Sequence, residues 1–579
     1  MKKTLCGGML LAAGLFGQAP AVNSVNNAGS YGTDIAQGSI FVVFGSNMGP
    51  AALAQAGALP LDTTLAGTSV RFTPVASGAA VSAFMVYTSS GQVAALLPST
   101  TPVGDHNVTV TYNGATSAGF RARVAQRAYG MITLNSQGTG LAVIQNASDG
   151  NRPNQFTAPV RPGQVMVLWG TGLGPVTVPD NAVPGVQDLR GAVNIRVLVG
   201  GVEVTPVYAG RSPSLPGADQ INFTIPGNAP NGCSVSLQVR VGDQLSPATS
   251  IAIAPGGRSV CEHPLFSEEA LRRIDAAGTT VYGNFALTSF SFSIALTGLP
   301  IQLPPIDIKT ESISGAFNRL TLANFDQVSN ELAPEIGGCR VVKQRFDQSG
   351  AAVVANPAAA LDAGTITLNG PNVSNKTLTN NRNYYNLLLT DPSNINIPLP
   401  GLPGGGGTPA PGIAPGTYTL AGTGGSEVGP FNAQVRISSI PMWTNKDAIT
   451  AVNRSSPLPI NWSGATADDV VVITGIAGTA AAGTGSNAVF EGTIFSCLAR
   501  GNANSFTVPV SVLQQMPAVQ GISFSGTTLN TSSIGLLTVS TSNYNAQNGR
   551  FTAPLRAGGN IDFGFFSYAF GGSKSLPYR

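Results

Sequence analysis

Histidine, cysteine and carboxylate side chains could carry nucleophilic, metal or acid–base chemistry, and here the histidines number two, His106 and His263. A Ser–His–Asp hydrolase needs an imidazole oriented by a carboxylate beside its nucleophile, and no Gly-x-Ser-x-Gly elbow occurs. His106 stands in the turn before an alternating strand, and His263 follows Cys261-Glu262 at a module edge. Both read as turn or surface histidines. Cys261 and His263 with scattered carboxylates fall short of the three or four clustered ligands that zinc wants.

The carboxylates are no better arranged. Glycosidases need two of them facing a sugar from opposite sides. Asp468 and Asp469 point to opposite faces if they enter one strand, and Glu331 and Glu335 are at helical spacing but Pro334 argues against a long helix there. Asp149-Gly150-Asn151 is a turn signal without the further Asp/Asn and terminal Glu of a calcium loop. No Walker loop is present. The chain is therefore read as non-enzymatic, with no catalytic, cofactor-binding or metal residues.

Cys6 falls in an N-terminal leader, which leaves Cys233, Cys261, Cys339 and Cys497. An even count in an exported chain favours disulfides over metal ligation. Four cysteines allow three pairings. Cys233 with Cys261 and Cys339 with Cys497 each close a loop inside one module, and this is the expected pairing, with buried free thiols as the alternative. Trp443 and Trp462 lie beside polar turn residues, and an indole face can stack on a sugar ring. They are the candidate ligand-contact aromatics, although the neighbouring strand runs Gln434–Ile437 and Pro459–Trp462 favour core packing.

These side chains are positioned by a duplication. Residues 39–50 (SIFVVFGSNMGP) and 164–175 (QVMVLWGTGLGP) both end an apolar strand in aromatic-Gly-x-x-x-Gly-Pro, and Gly45 matches Gly170. Further on, 91–98 (GQVAALLP) matches 219–226 (DQINFTIP), so two motifs recur in the same order at nearly the same offset. Each repeat continues into a strand of period two, Val108-Thr109-Val110-Thr111-Tyr112 and Val235 to Val241, with one face buried and one wet. Phe44 and Trp169, before the repeated glycine, are expected to plug the ends of their sandwiches.

The strand-Gly-x-x-x-Gly-Pro opening, the late Pro and the closing alternating strand resemble the IPT/TIG immunoglobulin-like domain. The doublet with Asp219 to Pro226 and Gly232-Cys233 is similar to a repeat module of exported acidobacterial proteins. The likeness covers about residues 22–262 and departs from the usual Gly-Phe-Gly at Asn47-Met48-Gly49. It implies a module and no particular ligand.

The remaining signals set compartment and class. Lys2 and Lys3, the apolar Leu5–Phe16 and Ala19-Pro20-Ala21 read as a secretory leader, whose apolar run is shorter than the roughly 20 residues a spanning helix needs. With 579 residues, 71 Gly, 41 Pro and 10% charged residues, the composition points to several β modules separated by turns. The net charge is +3, and no basic stripe suits nucleic acid.

The expectation is an all-β chain of two tandem immunoglobulin-like β-sandwiches followed by a larger β-sandwich. Residues 1–21 form the leader, 22–130 and 131–257 the two IPT/TIG-like modules, and 258–579 the larger domain with a Pro/Gly-rich loop at 398–416. Ser267 to Ala277 is the one helical stretch, with Ser267 as N-cap. The function expected is that of an exported structural or adhesion protein of the cell surface or extracellular space. It has no transmembrane segment, no nucleic-acid partner, and an extracellular protein or glycan as partner. The alternatives are a carbohydrate-binding accessory protein, or a hydrolase with its site in 258–579.

Overall fold

The computed structural model describes residues 18–136, 138–263, 266–294, 296–297, 306–321, 336–346, 359–390, 412–482, 489–521, 523–525, 528–530, 533–543 and 547–579. Residues 1–17 of the expected leader, 398–411 of the Pro/Gly-rich stretch, and Glu331 with Glu335 lie outside them. Among the described residues no helix is long and apolar enough to cross a membrane.

Alternating apolar residues build a first sandwich from two sheets. One contains Ala21–Asn27, Ile40–Ser46, Gln92–Leu96 and Phe84–Thr88, the other Phe120–Ala125, Gly104–Tyr112 and Thr68–Pro74. Phe41, Val43, Val93, Val70, Phe72, Val108 and Val110 close the core between them. A second sandwich repeats the plan. Val165–Thr171 and Asp219–Thr224 pair in one sheet, Ile195–Val199 and Gly232–Val241 in the other. In Gly232–Val241 every second residue is buried, as the alternation predicts.

The duplicated motifs turn out to be neighbouring strands. Phe44 lies opposite Gln92 in the first sandwich, and Trp169 opposite Gln220 in the second. Nearly equal offsets in sequence thus reflect one register used twice. The expectation for the aromatics themselves is corrected. Trp169 alternates with the buried Met166 and Leu168, so it faces away from the core, half-buried, and its Nε1 donates to Gln145 Oε1 at 3.0 Å. Phe44 stacks on Tyr31 with centroids 6.2 Å apart.

After the second sandwich comes the helix Glu268–Ala277, whose N-cap Ser267 accepts a hydrogen bond from the Ala270 amide. Its C-terminus is closed by Gly278 in the left-handed region. The third unit is organised by one 11-stranded sheet. Its spine runs Cys339–Phe346, Val489–Arg500, Asp469–Ala482, Ser533–Asn543, Phe563–Ser575, Thr279–Ile294, Ile306–Thr321. Most neighbours are antiparallel, but Thr279–Ile294 and Phe563–Ser575 run parallel, Tyr282 opposite Phe563.

Among the described residues two large cores sit on this sheet. Phe285, Phe317, Tyr385, Tyr418, Phe431 and Phe566 belong to the one shared with the four-stranded sheet of Ile366–Gly370, Val373–Thr377, Gly416–Gly422 and Phe431–Ile437. Ile460, Trp462, Ile473, Phe495, Val539 and Tyr578 belong to the other. The strands Tyr384–Leu388 and Phe563–Ser575, on either side of residues 398–416 in sequence, share the large sheet. The apolar run from Phe506 to Leu513 breaks at Pro509, where the strand Ser505–Val508 gives way to the helical turn Val510–Leu513.

Candidate functional site

The cysteines are joined as Cys233–Cys261 and Cys339–Cys497. The second bond links register partners of adjacent strands. The first ties the strand Gly232–Val241 to the strap at 255–262 that leads to the helix. Trp443 and Trp462 are also register partners. Trp462 is 3% exposed and its Nε1 donates to Gly501 O at 2.6 Å, so its ring belongs to the core. Trp443 is half-buried against the same core, its Nε1 donating to Asn445 Oδ1 at 2.9 Å.

His106 is 1% exposed, more buried than a turn position suggested, because it lies in the strand Gly104–Tyr112 with its ring edge-on to Phe72. His263 packs against Phe266, and its Nδ1 accepts the Phe266 amide at 3.2 Å. Burial holds that imidazole down at about 4. Asp468 is exposed while Asp469 is buried, accepting from Tyr568 Oη at 2.5 Å and from the Thr466 amide at 2.7 Å. Asp468 stands in the turn before the strand, and Asp469 alone of the two enters it. Among the described residues no three His, Cys, Asp or Glu side chains gather as a metal site would need.

Two places concentrate polar chemistry that the sequence did not flag. The first is the joint between the two sandwiches. Arg211 Nη1 meets Asp219 Oδ1 at 2.5 Å with the side chains 2% and 0% exposed, and Asp219 Oδ2 accepts the Leu173 amide at 2.7 Å. Burial pushes the Asp219 carboxyl up to about 6, although Arg211 and the amides of Leu173 and Gly172 pull the other way. Around this pair the modules are bonded to each other. Ser99 donates through its amide and Oγ to Asp180, both at 2.7 Å, and the Ile40 amide donates to Thr171 Oγ1 at 2.9 Å. Contact is too close for side chains at two glycines. A Cβ on Gly38 (φ +69°) would lie 2.6 Å from Arg211 Nη2, and one on Gly217 (φ +72°) 2.7 Å from Ile40 and Leu96.

The second place is a cleft of about 270 Å³ where the second sandwich meets the helix. Arg152 and Arg161 come from the sandwich, Arg258 from the strap and Arg272 from the helix, with Thr157 and Asp149 also in the wall. The walls are fixed. The Thr157 amide donates to Asp275 Oδ2 at 2.7 Å, the Cys261 amide to Phe156 O at 3.0 Å, and Arg272 Nη2 to Ser259 Oγ at 3.0 Å. Beneath them Phe156, Cys261, Leu271, Ile274, Tyr282 and Phe563 form one apolar cluster spanning sandwich, strap, helix and large sheet. The arrangement can bind an anion. It supplies guanidinium donors, and its histidine-free wall holds one carboxylate, Asp149.

The fold defines a class, immunoglobulin-like β-sandwiches joined to a larger all-β unit. No protein-family model matches the chain, and no curated protein matches it. Among solved structures it is similar to a protein of unknown function from Bacteroides thetaiotaomicron, at 14% identity and TM-score 0.14 over 39% of this chain. The chain spans about half of that protein, 46% of its length. It is also similar to SGBP-B from a complex xyloglucan utilization locus of Bacteroides uniformis, at 11% identity and TM-score 0.14, over 64% of this chain and 86% of that one. A tandem of titin Ig domains matches at 8% identity and TM-score 0.12, over 41% of this chain and 97% of that one. At these values none of the likenesses carries a functional argument.

Proposed function

We propose that this chain is an exported, non-catalytic protein whose sandwich modules form a rigid structural or adhesive array at the cell surface or outside the cell. The first two modules are read as IPT/TIG-like, bounded at 22–130 and 131–257, ahead of the larger unit at 258–579. The observation that carries the reading is the pair of sealed joints. Hydrogen bonds from Ser99 to Asp180 and from the Ile40 amide to Thr171, with side-chain-free glycine contacts, lock the first joint. A disulfide and an apolar cluster shared by sandwich, helix and large sheet lock the second. Modules fixed in this way hold their surfaces at constant spacing, which suits presentation more than the domain closure many enzymes use. The disulfides suit an oxidising compartment. Cell fractionation of the native organism, followed by protein and glycan pull-down with the full chain, tests the proposal. Recovery outside the cytoplasm with a bound surface partner is expected; a cytosolic protein with reduced cysteines overturns it.

A second reading, a carbohydrate-binding accessory protein of the extracellular space, is favoured by the polar cleft beside the helix. Binding to saccharides on a glycan array supports it. An array with no bound saccharide removes it and leaves the first reading in place.

A further inference from the structure

We propose that the arginine-lined cleft between the second sandwich and the helix Glu268–Ala277 binds the anionic group of an acidic glycan, a uronate carboxylate or a sulfate ester. The inference rests on the carbohydrate-binding reading and names its ligand class. Four of the eleven lining residues are arginines, in a chain where Lys and Arg together are 30 of 579 residues.

The four guanidiniums divide by role. Arg258 pairs with Glu262, and Arg272 pairs with Glu268 at 2.6 Å. Both glutamates lie outside the cleft wall, so these pairs brace the arginines without filling the space. The guanidiniums of Arg152 and Arg161 meet backbone carbonyl oxygens, Thr157 O at 3.4 Å and Arg258 O at 3.5 Å, and no carboxylate among the described residues. Their remaining N–H groups are open to an incoming anion. Arginine presents its donors as a planar fork that matches the two oxygens of a carboxylate or sulfate. Asp149 at the wall disfavours a second negative charge beside it and so favours a ligand with spaced anionic groups.

Size and lining select the class. About 270 Å³ falls just below the 300–1,000 Å³ typical of small-molecule pockets, which is room for about one sugar ring with its substituent. Thr157, Gln164 and Ser259 add hydroxyl and amide groups that suit a saccharide. The wall has no aromatic residue, and protein partners anchor through buried aromatic and apolar side chains. A nucleic acid would need a stripe of cations along its phosphates. The cleft also needs the assembled joint. Its walls come from the sandwich, the disulfide-tied strap and the helix.

Isothermal titration calorimetry on the full chain with its disulfides formed tests this, using trigalacturonate, a sulfated heparin tetrasaccharide and neutral cellotetraose. Arg152 and Arg161 are exposed, so R152Q/R161Q keeps the fold, checked by an unchanged melting temperature. The expected result is binding of one or both acidic oligosaccharides, weakened by salt and weakened roughly tenfold or more in R152Q/R161Q. The control R71Q, in the first sandwich, leaves it unchanged. Binding of trigalacturonate shows that a carboxylate suffices, whereas binding of the heparin tetrasaccharide alone, which carries uronate carboxylates as well, shows that a sulfate is needed. Equal binding of acidic and neutral oligosaccharides, or equal binding by wild type and R152Q/R161Q, overturns the cleft assignment and leaves the carbohydrate-binding reading standing. No binding of any of the three overturns the cleft assignment, and the glycan array then decides that reading separately.

Discussion

Replacing Asp219 with Asn leaves Arg211 as a buried guanidinium without its counter-charge. The side chain is 2% exposed, its Nη1 loses the carboxylate 2.5 Å away, and Gly174 O at 3.0 Å on Nη2 is the contact that stays. Removing one member of a buried pair costs about 3–5 kcal/mol, because the orphaned charge stays desolvated. At about 1.36 kcal/mol per tenfold, local opening of the second sandwich should become about 10² to 10⁴ times more frequent. Hydrogen exchange of the full chain at pH 7 reads this directly. Amides in Val165–Thr171 and Asp219–Thr224, which pair with each other, should lose protection by that factor. Those of Phe431–Ile437, in the distant four-stranded sheet, should not change. The double variant R211M/D219L should recover part of the loss. Burial already pushes the Asp219 carboxyl up, so the charged pair is expensive to desolvate and an apolar pair of similar size can replace it. It keeps a cost of about 1–3 kcal/mol for each of the Leu173 and Gly172 amides left without its acceptor, so the recovery is partial. A fivefold or smaller change in D219N would refute the view that this pair anchors the second sandwich.

Three further outcomes are expected. His263 is held neutral in the fold down to about 4 and takes a proton near 6.5 when unfolded, so stability should fall as pH drops from 6.5 towards 4, by on the order of 3 kcal/mol. Denaturant midpoints across that range should flatten in H263Q. Trp462→Ala should cost about 3–5 kcal/mol in thermal unfolding while leaving any saccharide binding intact, since its ring is sealed in the core; selective loss of binding at unchanged stability would return Trp462 to the ligand site. Cys339→Ser with Cys497→Ser should destabilise the large sheet by about 2–5 kcal/mol, read as an earlier transition in calorimetry, whereas an unchanged thermogram would show that bond to be dispensable.

Much of this architecture was legible because it depends on local alternation. Val108 to Tyr112 and Val235 to Val241 announce their strands by period two, and Ser267 with Glu268 and Glu269 announces the helix. The duplicated Gly45 and Gly170 motifs were readable as tandem modules because they occupy the same register in two sheets. Trp169 reads as core because an aromatic beside buried neighbours looks apolar in sequence, whereas the pleat turns it outward. Arg211 and Asp219 are eight residues apart on adjacent strands, and a hairpin partner leaves no periodic trace. One hint was available. Gly91 stands in the first repeat where Asp219 stands in the second, so the carboxylate is an addition to the shared pattern. The cleft was the least legible. Arg152, Arg161, Arg258 and Arg272 come from three separate segments, and only the closed joint collects them.

Rigidity of the array is tested most directly by double electron–electron resonance between a spin label at Arg71→Cys in the first sandwich and one at Lys376→Cys in the third unit, with both native disulfides intact. Two sealed joints require one narrow distance distribution, unchanged by dilution. A broad distribution spanning many separations would contradict them and leave a flexible string of modules in place of the array.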